Sequence, residues 1–470
     1  MPHDLPLPCT RRQMLRQCCT GFGNLALLGL MASLDRATAG LVAPPLAARP
    51  PMFRPRAKRV IFLFMHGGPS HVDTFDYKPA LIRDHGKPLP FEKPRIQFAK
   101  TADLRKSPWE FRPRGQCGAM VSDLFPLVGA RADDLCIIKS VHGTNEAHGG
   151  ALLKLHTGSD ALVRPSMGSW ISYGLGSENQ NLPSFLTINP ALGHGGVGNW
   201  SSAFLPAVHQ GTPIGGGDVP VEKAGISYLH DPNENTTRQR AQLDLLNAMN
   251  REHLAEAGRD PALEARIESF ELAFRMQTEA PEAMDVNGES AATKKLYGLD
   301  DPHTASFARQ CLLARRFSER GVRFVQVTHP YWDQHENLTR DHARLAAEVD
   351  RPIAGLLADL LGRGLLEDTL VIWGGEFGRT PTLQGRDGRD HNPHAFTMWL
   401  AGGGVKAGSS YGVTDDYGFY CADEKVHIHD LHATILALLG IDHEALTYRH
   451  AGRDFRLTDV SGRVVSEIFA

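Results

Sequence analysis

The sequence predicts an α/β protein, a mostly parallel sheet covered by helices on both faces, and three observations carry that expectation. The runs Lys58-Arg59-Val60-Ile61-Phe62-Leu63-Phe64-Met65, Arg323-Phe324-Val325-Gln326-Val327 and Thr369-Leu370-Val371-Ile372-Trp373 are continuously apolar. Strands of that kind are buried on both faces. Helix-period segments precede the later two, at 306–320 and 343–363, the second with Leu345, Val349, Ile353, Leu357 and Leu360 on one stripe. Helix then strand, repeated, is the pattern of a parallel sheet in a layered sandwich.

The first run stops at His66-Gly67-Gly68-Pro69, a sharp Gly/Pro loop. Leu135-Cys136-Ile137-Ile138 is a second short strand, and the polar, Pro-containing stretch between them reads as an insertion over the sheet. Arg323–Val327 and Thr369–Trp373 follow as third and fourth strands, the fourth stopping at Gly374-Gly375. A fifth spans Phe396 to Leu400 and turns at Gly402-Gly403-Gly404. The charged segment 233–295 is helical in composition and reads as an excursion from the sheet.

The N-terminus is set apart from this fold. Arg11-Arg12 precede an apolar stretch near 22–32, followed by Ala37-Thr38-Ala39. A charged region, a short apolar region and a small-residue cleavage site in that order read as a twin-arginine export signal over 1–39. Export would leave the mature protein periplasmic or extracellular. A Pro-rich linker at 40–57 would lead into the domain at 58–470. Removing 1–39 takes four arginines and two aspartates and moves the net charge from −3 to −5. Without a basic run there is no footprint for nucleic acid or an anionic membrane. No later apolar run reaches membrane-spanning length. Cys117, Cys136, Cys311 and Cys421 remain, too sparse and too far apart for a disulfide framework or structural zinc. One or two disulfides, or buried free thiols, fit equally.

The chemistry collects at strand ends. In open parallel sheets ligands bind beyond the carboxyl ends, where loops and helix N-termini converge. The first strand runs into His66, with Ser70, His71 and Asp73 behind it. The third runs into His329 and then Trp332-Asp333-Gln334-His335, and the fourth into Glu376 with Arg379 after it. Ahead of the fifth lies Gly388-Arg389-Asp390-His391-Asn392-Pro393-His394. Each group alone has a plain structural reading: Asp333 as a helix cap, Glu376 as a partner of Arg379. Imidazoles and carboxylates at one edge of one sheet suit one or two divalent ions, zinc first, with manganese or iron as alternatives. Two close metals would stabilise the entering and leaving oxygens of an ester displacement.

The segments Phe62–Ser70, Arg164-Pro165-Ser166-Met167-Gly168-Ser169-Trp170, Gly374–Pro381, Gly388–His391 and Gly452–Asp459 resemble hallmarks of the domain-of-unknown-function 1501 family (DUF1501). The resemblance runs from about Lys58 to the C-terminus. It implies the alkaline-phosphatase-like three-layer sandwich of the sulfatase-like superfamily, and hydrolysis of phosphate or sulfate esters, on a small anionic ester or a sulfated or phosphorylated glycan. His66 stands where that superfamily has a metal-binding Asp. Asp333 and His335 resemble its Asp-and-His pair, with tighter spacing, and His391 matches its late histidine ligand. Glu376-Phe377 keeps one carboxylate of a further Asp-His pair and lacks the histidine. Thr157-Gly158 resembles the landmark that follows the nucleophile, which puts His148 in the nucleophile's place with Thr144 nearby. No Cys-x-Pro-x-Arg or Ser-x-Pro-x-Arg sequence occurs, which argues against a formylglycine sulfatase. His148 is left with three roles: ligand, nucleophile or structural residue. A metal-activated water is the alternative attacking group.

The expected metal ligands are therefore His66, Asp73, Asp333, His335, Glu376 and His391. His148 or Thr144 sits over the substrate and Arg379 clamps its anionic group through a bidentate fork. The rival reading is a degenerate member that binds a metal, a glycan or a partner protein without turnover. His427-Ile428-His429-Asp430-Leu431-His432 reads as the capped start of a closing helix rather than as a metal cluster.

Overall fold

The computed structural model describes residues 46–92, 100–216, 225–226, 235–257 and 261–470, so the expected export signal at 1–39 lies outside the described residues. The centre is a nine-stranded sheet. Its strands are β1 (Arg59–Met65), β2 (Leu135–His142), β3 (Phe185–Ile188), β4 (Thr212–Ile214), β5 (Phe324–His329), β6 (Thr369–Gly374), β7 (Phe396–Ala401), β8 (Ser409–Tyr411) and β9 (Val426–His427). They lie in the order β8-β2-β7-β6-β1-β5-β3-β4, with β9 also beside β2. Every pairing is parallel except those of β7, which runs against both β2 and β6.

The alternation of side chains along β1 divides the interior in two. Ile61, Leu63 and Met65 enter one core with Val325, Val327, Val371 and Trp373, covered by α6 (Ala305–Glu319) and α7 (Leu338–Gly362). Val60, Phe62 and Phe64 enter the other with Ile372, Met398 and Leu400. That face is covered by α1 (His148–Thr157), α2 (Met167–Leu175) and α8 (Ile428–Leu438). A continuously apolar strand is required because both faces are packed. The expected α/β sandwich with helices on both faces is the observed architecture.

The antiparallel strand is pinned by an aromatic pair. Trp399 of β7 is in register with Trp373 of β6, their rings stacked at 5.9 Å and within 1° of parallel. Such a pair contributes about 1 kcal/mol beyond its buried area.

Helices α3 (Thr236–Ala257), α4 (Pro261–Met284) and α5 (Ala291–Tyr297) occupy the segment expected as a helical excursion. Leu272, Met276, Ala280 and Ala283 of α4 join the first core, so this segment packs on the domain. The stretch expected as a linker departs from expectation in its described part. Leu46 is buried, Arg49 donates to Leu175, Met52 to Gly440 and Arg56 to Leu438 through their backbone N–H groups. The four cysteines among the described residues are all free, Cys117 exposed and Cys136, Cys311 and Cys421 buried. No described helix is long and apolar enough to cross a membrane.

At 427–432 the structure has a helix start. The His427 side chain caps α8 while Asp430 accepts from the His427 backbone, and His429 and His432 donate Nε2–H to the carbonyls of Gly158 and Leu155.

Several histidines are locked neutral by burial. His342, His209 and His432 each fall from 6.5 to about 3 because burial opposes the charged ring. His342 accepts the Ser70 N–H at 3.0 Å, a bond that protonation would abolish. The unfolded chain therefore binds more protons than the fold between pH 6.5 and about 3, and stability falls as pH drops through that window. Three such residues give a slope of ~4 kcal/mol per pH unit at its steepest. In urea titrations at stepped pH, His342→Gln is expected to remove about a third of that slope.

Candidate metal centre

Strand direction gathers the site. The carboxyl ends of β1, β2, β5 and β6 share one edge, and β7 delivers its preceding residues to that same edge because it runs the other way. His66 follows β1, His148 opens α1 after β2, Asp333 and His335 follow β5, and Glu376 follows β6. His391 lies ahead of β7, in a two-residue ribbon that pairs it with Arg379.

Two glycines let the loops touch. A Cβ on Gly67, at φ +115°, would lie 2.7 Å from the backbone N of Asp333, and one on Gly388 would overlap the carbonyl of His335. Only hydrogen fits between these backbones.

Four side chains converge on Asp333. Its Oδ1 is 3.1 Å from His391 Nε2, 3.0 Å from His335 Nε2 and 2.7 Å from Arg379 Nη2, and the two imidazole Nε2 atoms are 3.0 Å apart. Its Oδ2 is 3.1 Å from His148 Nε2, within charge-attraction range but off the line that a hydrogen bond needs. Burial raises the Asp333 pKa, but the three histidines and Arg379 outweigh it and hold the carboxylate far below its ordinary range. Burial also works against charge on His148, yet Asp333 and Glu376 lift its pKa to about 9. Burial takes His391 down to about 4.

The outer nitrogens decide where the lone pairs point. His391 Nδ1 is 2.7 Å from the Glu146 carbonyl, which can only accept, so the one proton of this neutral ring is spent there. His148 Nδ1 is likewise held by Glu376 Oε1 at 2.8 Å, and His335 Nδ1 by Gln384 Oε1 at 2.6 Å. The His391 Nε2 lone pair therefore faces an anionic oxygen and a second imidazole nitrogen. A cation resolves that conflict. The 3.0–3.1 Å separations are close to the ~3.3 Å edge of a tetrahedron with ~2.0 Å metal–ligand bonds. His148, Asp333 and His391 form one group whose donor atoms converge closely enough for an ion, and His335, Asp390 and His391 form another. The residues present fit a divalent metal, with the outer acceptors fixing ring orientation as such sites require.

The family model for "Protein of unknown function (DUF1501)" matches residues 57–469. The chain belongs to the DUF1501 family. No curated protein matches the sequence. Among solved structures, this DUF1501 protein is similar to the PsFucS1 sulfatase from Pseudoalteromonas sp., at 14% identity and TM-score 0.34, covering 83% of this chain and 69% of that one. It is similar to the phosphonate monoester hydrolase SpPMH from Silicibacter pomeroyi, at 12% identity and TM-score 0.34, covering 88% and 76%. It is similar to alkaline phosphatase from the Antarctic bacterium TAB5, at 8% identity and TM-score 0.33, covering 82% and 98%.

The remaining expected residues of this DUF1501 chain divide clearly. Glu376, expected as a ligand, is fully buried behind His148 and accepts the Gly67 N–H at 3.0 Å, so it orients the imidazole. His66 lines the cavity beside His148, ring centroids 6.2 Å apart, with no hydrogen-bond partner for its Nε2 among the described residues, but stands outside both converging groups. Asp73 departs from expectation. Its two oxygens are taken by Arg389 at 2.7 and 3.1 Å and by Ser70 at 2.5 Å, in a pair with no exposed surface. A helical turn at His71–Thr74 carries Asp73 into the interior, away from the strand edge. Arg379 also departs from expectation. It is wholly buried and bonded to Gly67, Gly68, Trp332 and Arg389 carbonyls as well as Asp333, leaving no fork for a substrate anion. Thr144 is exposed and makes none of the hydrogen bonds that tie the group together.

Sequence reasoning missed three contributors. Asp390 is buried, its Oδ2 has no hydrogen-bond partner among the described residues, and it lies within the Gly388–His391 motif, where sequence reasoning assigned it no role. Gln384 had no signal. His194, whose ring stacks on His148 at 4.9 Å, follows β3, a four-residue strand too short to register.

Two substitutions separate the pairings. Asp73→Asn leaves Arg389 buried without its counter-charge and is expected to cost about 3–5 kcal/mol in urea unfolding, with metal content unchanged. His391→Ala is expected to abolish metal retention by elemental analysis while the far-UV spectrum is kept.

Proposed function

We propose that this protein is an exported, metal-dependent hydrolase of phosphate or sulfate esters. It would hold one divalent ion, zinc before manganese or iron, between Asp333 and the Nε2 atoms of His148, His335 and His391. The observation that carries the reading is the His391 ring, whose single proton is committed to Glu146, so that its lone pair meets Asp333 and His335. A bound cation would act as a Lewis acid on the ester oxygen and make water a usable nucleophile at neutral pH.

The chain's own residues set the rest. A cavity of about 430 Å³ opens over the group, lined by His66, His148, His194, Asn189, Tyr331 and Asp333 among others. Glu376 keeps His148 Nε2 turned toward Asp333. Glu376 holds His148 Nδ1 and Asp333 faces its Nε2, so His148 would lose its Nε2 proton on cation binding and serve as a ligand rather than a nucleophile. Water would then be the attacking group: its oxygen bonds to phosphorus or sulfur as the ester P–O or S–O bond breaks, and the departing oxygen takes up the proton that the water gives away, leaving as the alcohol. His66 Nε2, which has no hydrogen-bond partner among the described residues and whose ring is kept neutral because burial lowers its pKa, would take the proton of that water and pass it to the leaving oxygen.

The burial of Arg379 favours a second reading, a member that keeps the metal and binds a ligand without turnover. Chromogenic phosphate and sulfate esters distinguish the two. The hydrolase gives turnover that chelation abolishes and zinc or manganese restores. About one metal per chain with no turnover on either ester class supports the binder, and no metal at all sinks both. Glu376→Gln is expected to weaken metal binding about 10- to 100-fold, read by competition with a chromogenic chelator.

A further inference from the structure

Across the Pro330–Tyr331 corner from the metal cavity lies a second cavity of about 380 Å³, and Asn189, Pro330 and Tyr331 line both. Tyr331 forms the ridge between them. It is 71% exposed and sits at φ +76°, where glycine or asparagine is far more at home than an aromatic residue. That backbone is held by Gln334, which donates to the Tyr331 carbonyl, and by Trp332, which donates to His66 at 3.0 Å. A strained position kept by its surroundings, with its large ring in solvent beside a cavity, points toward binding rather than packing.

The second cavity has its own polar equipment. Gln310 is only 3% exposed, lines the cavity, and its Oε1 has no hydrogen-bond partner among the described residues. A buried acceptor left so calls for a donor from a ligand or from water. Arg344 and Glu348 face the same space paired at 2.6 Å, and Glu348 also reaches His329 at 3.1 Å. Their charges offset one another, so the cavity offers donors and acceptors side by side without a net field. That suits hydroxyl groups better than a second anion.

We propose that the Tyr331 ridge and the Gln310 cavity form a saccharide subsite, so that the ester presented to the metal is carried on a sugar. One sugar ring lays its C–H face on Tyr331, and its hydroxyls reach Gln310, Asn189 and the Arg344–Glu348 pair. The assignment rests on reading the neighbouring cavity as the ester site, but its binding energy comes from groups that touch no metal.

The test uses isothermal titration of the full mature protein, with and without chelator. The probes are neutral and sulfated oligosaccharides of galactose, glucose, mannose and fucose. At least one sugar series is expected to bind, with the neutral members insensitive to chelation. Tyr331→Ala is expected to weaken binding about tenfold, Tyr331→Trp to retain it, and Gln310→Leu to weaken it severalfold, all with unchanged metal content. Binding to no sugar of the panel, or binding that Tyr331→Ala and Gln310→Leu leave unchanged, overturns the subsite. Sugar binding without ester turnover would sink the hydrolase and leave the subsite standing; turnover of simple esters without sugar binding would do the reverse.

Discussion

A single buried guanidinium holds the edge of the sheet together. Arg379 has no exposed surface, and it donates to Gly67 and Gly68 after the first strand, to Trp332 after the fifth, and to Arg389 ahead of the seventh. These are the loops that carry His66, Asp333, His335 and His391. A buried charge is costly unless its donors and its counter-charge are all supplied. The carbonyls meet the first condition and Asp333 the second, at 2.7 Å. The positions of the imidazoles follow from this requirement.

Asp333 is therefore shared. Arg379 binds it as a buried counter-charge, and His148, His335 and His391 approach the same two oxygens. One carboxylate links the folding requirement to the chemistry, and the acceptors behind the rings (Glu376, Gln384 and the Glu146 carbonyl) fix which nitrogen each histidine presents. Asp73 and Arg389 repeat the buried-pair device with no exposed side-chain surface on either partner. The two acids differ in depth: Asp333 keeps exposed surface beside a cavity, whereas Asp73 is fully buried against Arg389 and Ser70.

Much of the architecture was legible locally. β1, β5 and β6 were evident because a strand packed on both faces must be apolar at every position, and α7 because its apolar stripe repeats with helical period. The strands β3, β4, β8 and β9 were missed because two to four residues hold too little period to detect, and Pro213 within β4 is tolerable only at a sheet edge. At the site, Asp333 and His335 could be chosen because they lie just beyond a recognisable strand, and His391 because it lies just ahead of one. Glu376, Asp73 and Arg379 were chosen by the same rule. That rule places a residue at an edge but cannot say how far its side chain reaches.

By itself the sequence determined which segments become strands, that polar residues follow them, and the family, because periodicity and motif order are properties of the chain. The tertiary structure alone decided that β7 runs antiparallel, which brings His391 to the edge where its parallel neighbours end. It alone decided the partners of each charge. Whether an arginine meets a substrate or a ring of carbonyls, and whether an imidazole nitrogen carries a proton or a lone pair, depends on atoms a few ångströms away and hundreds of positions distant. Such contacts are set by packing and leave no periodic trace along the chain.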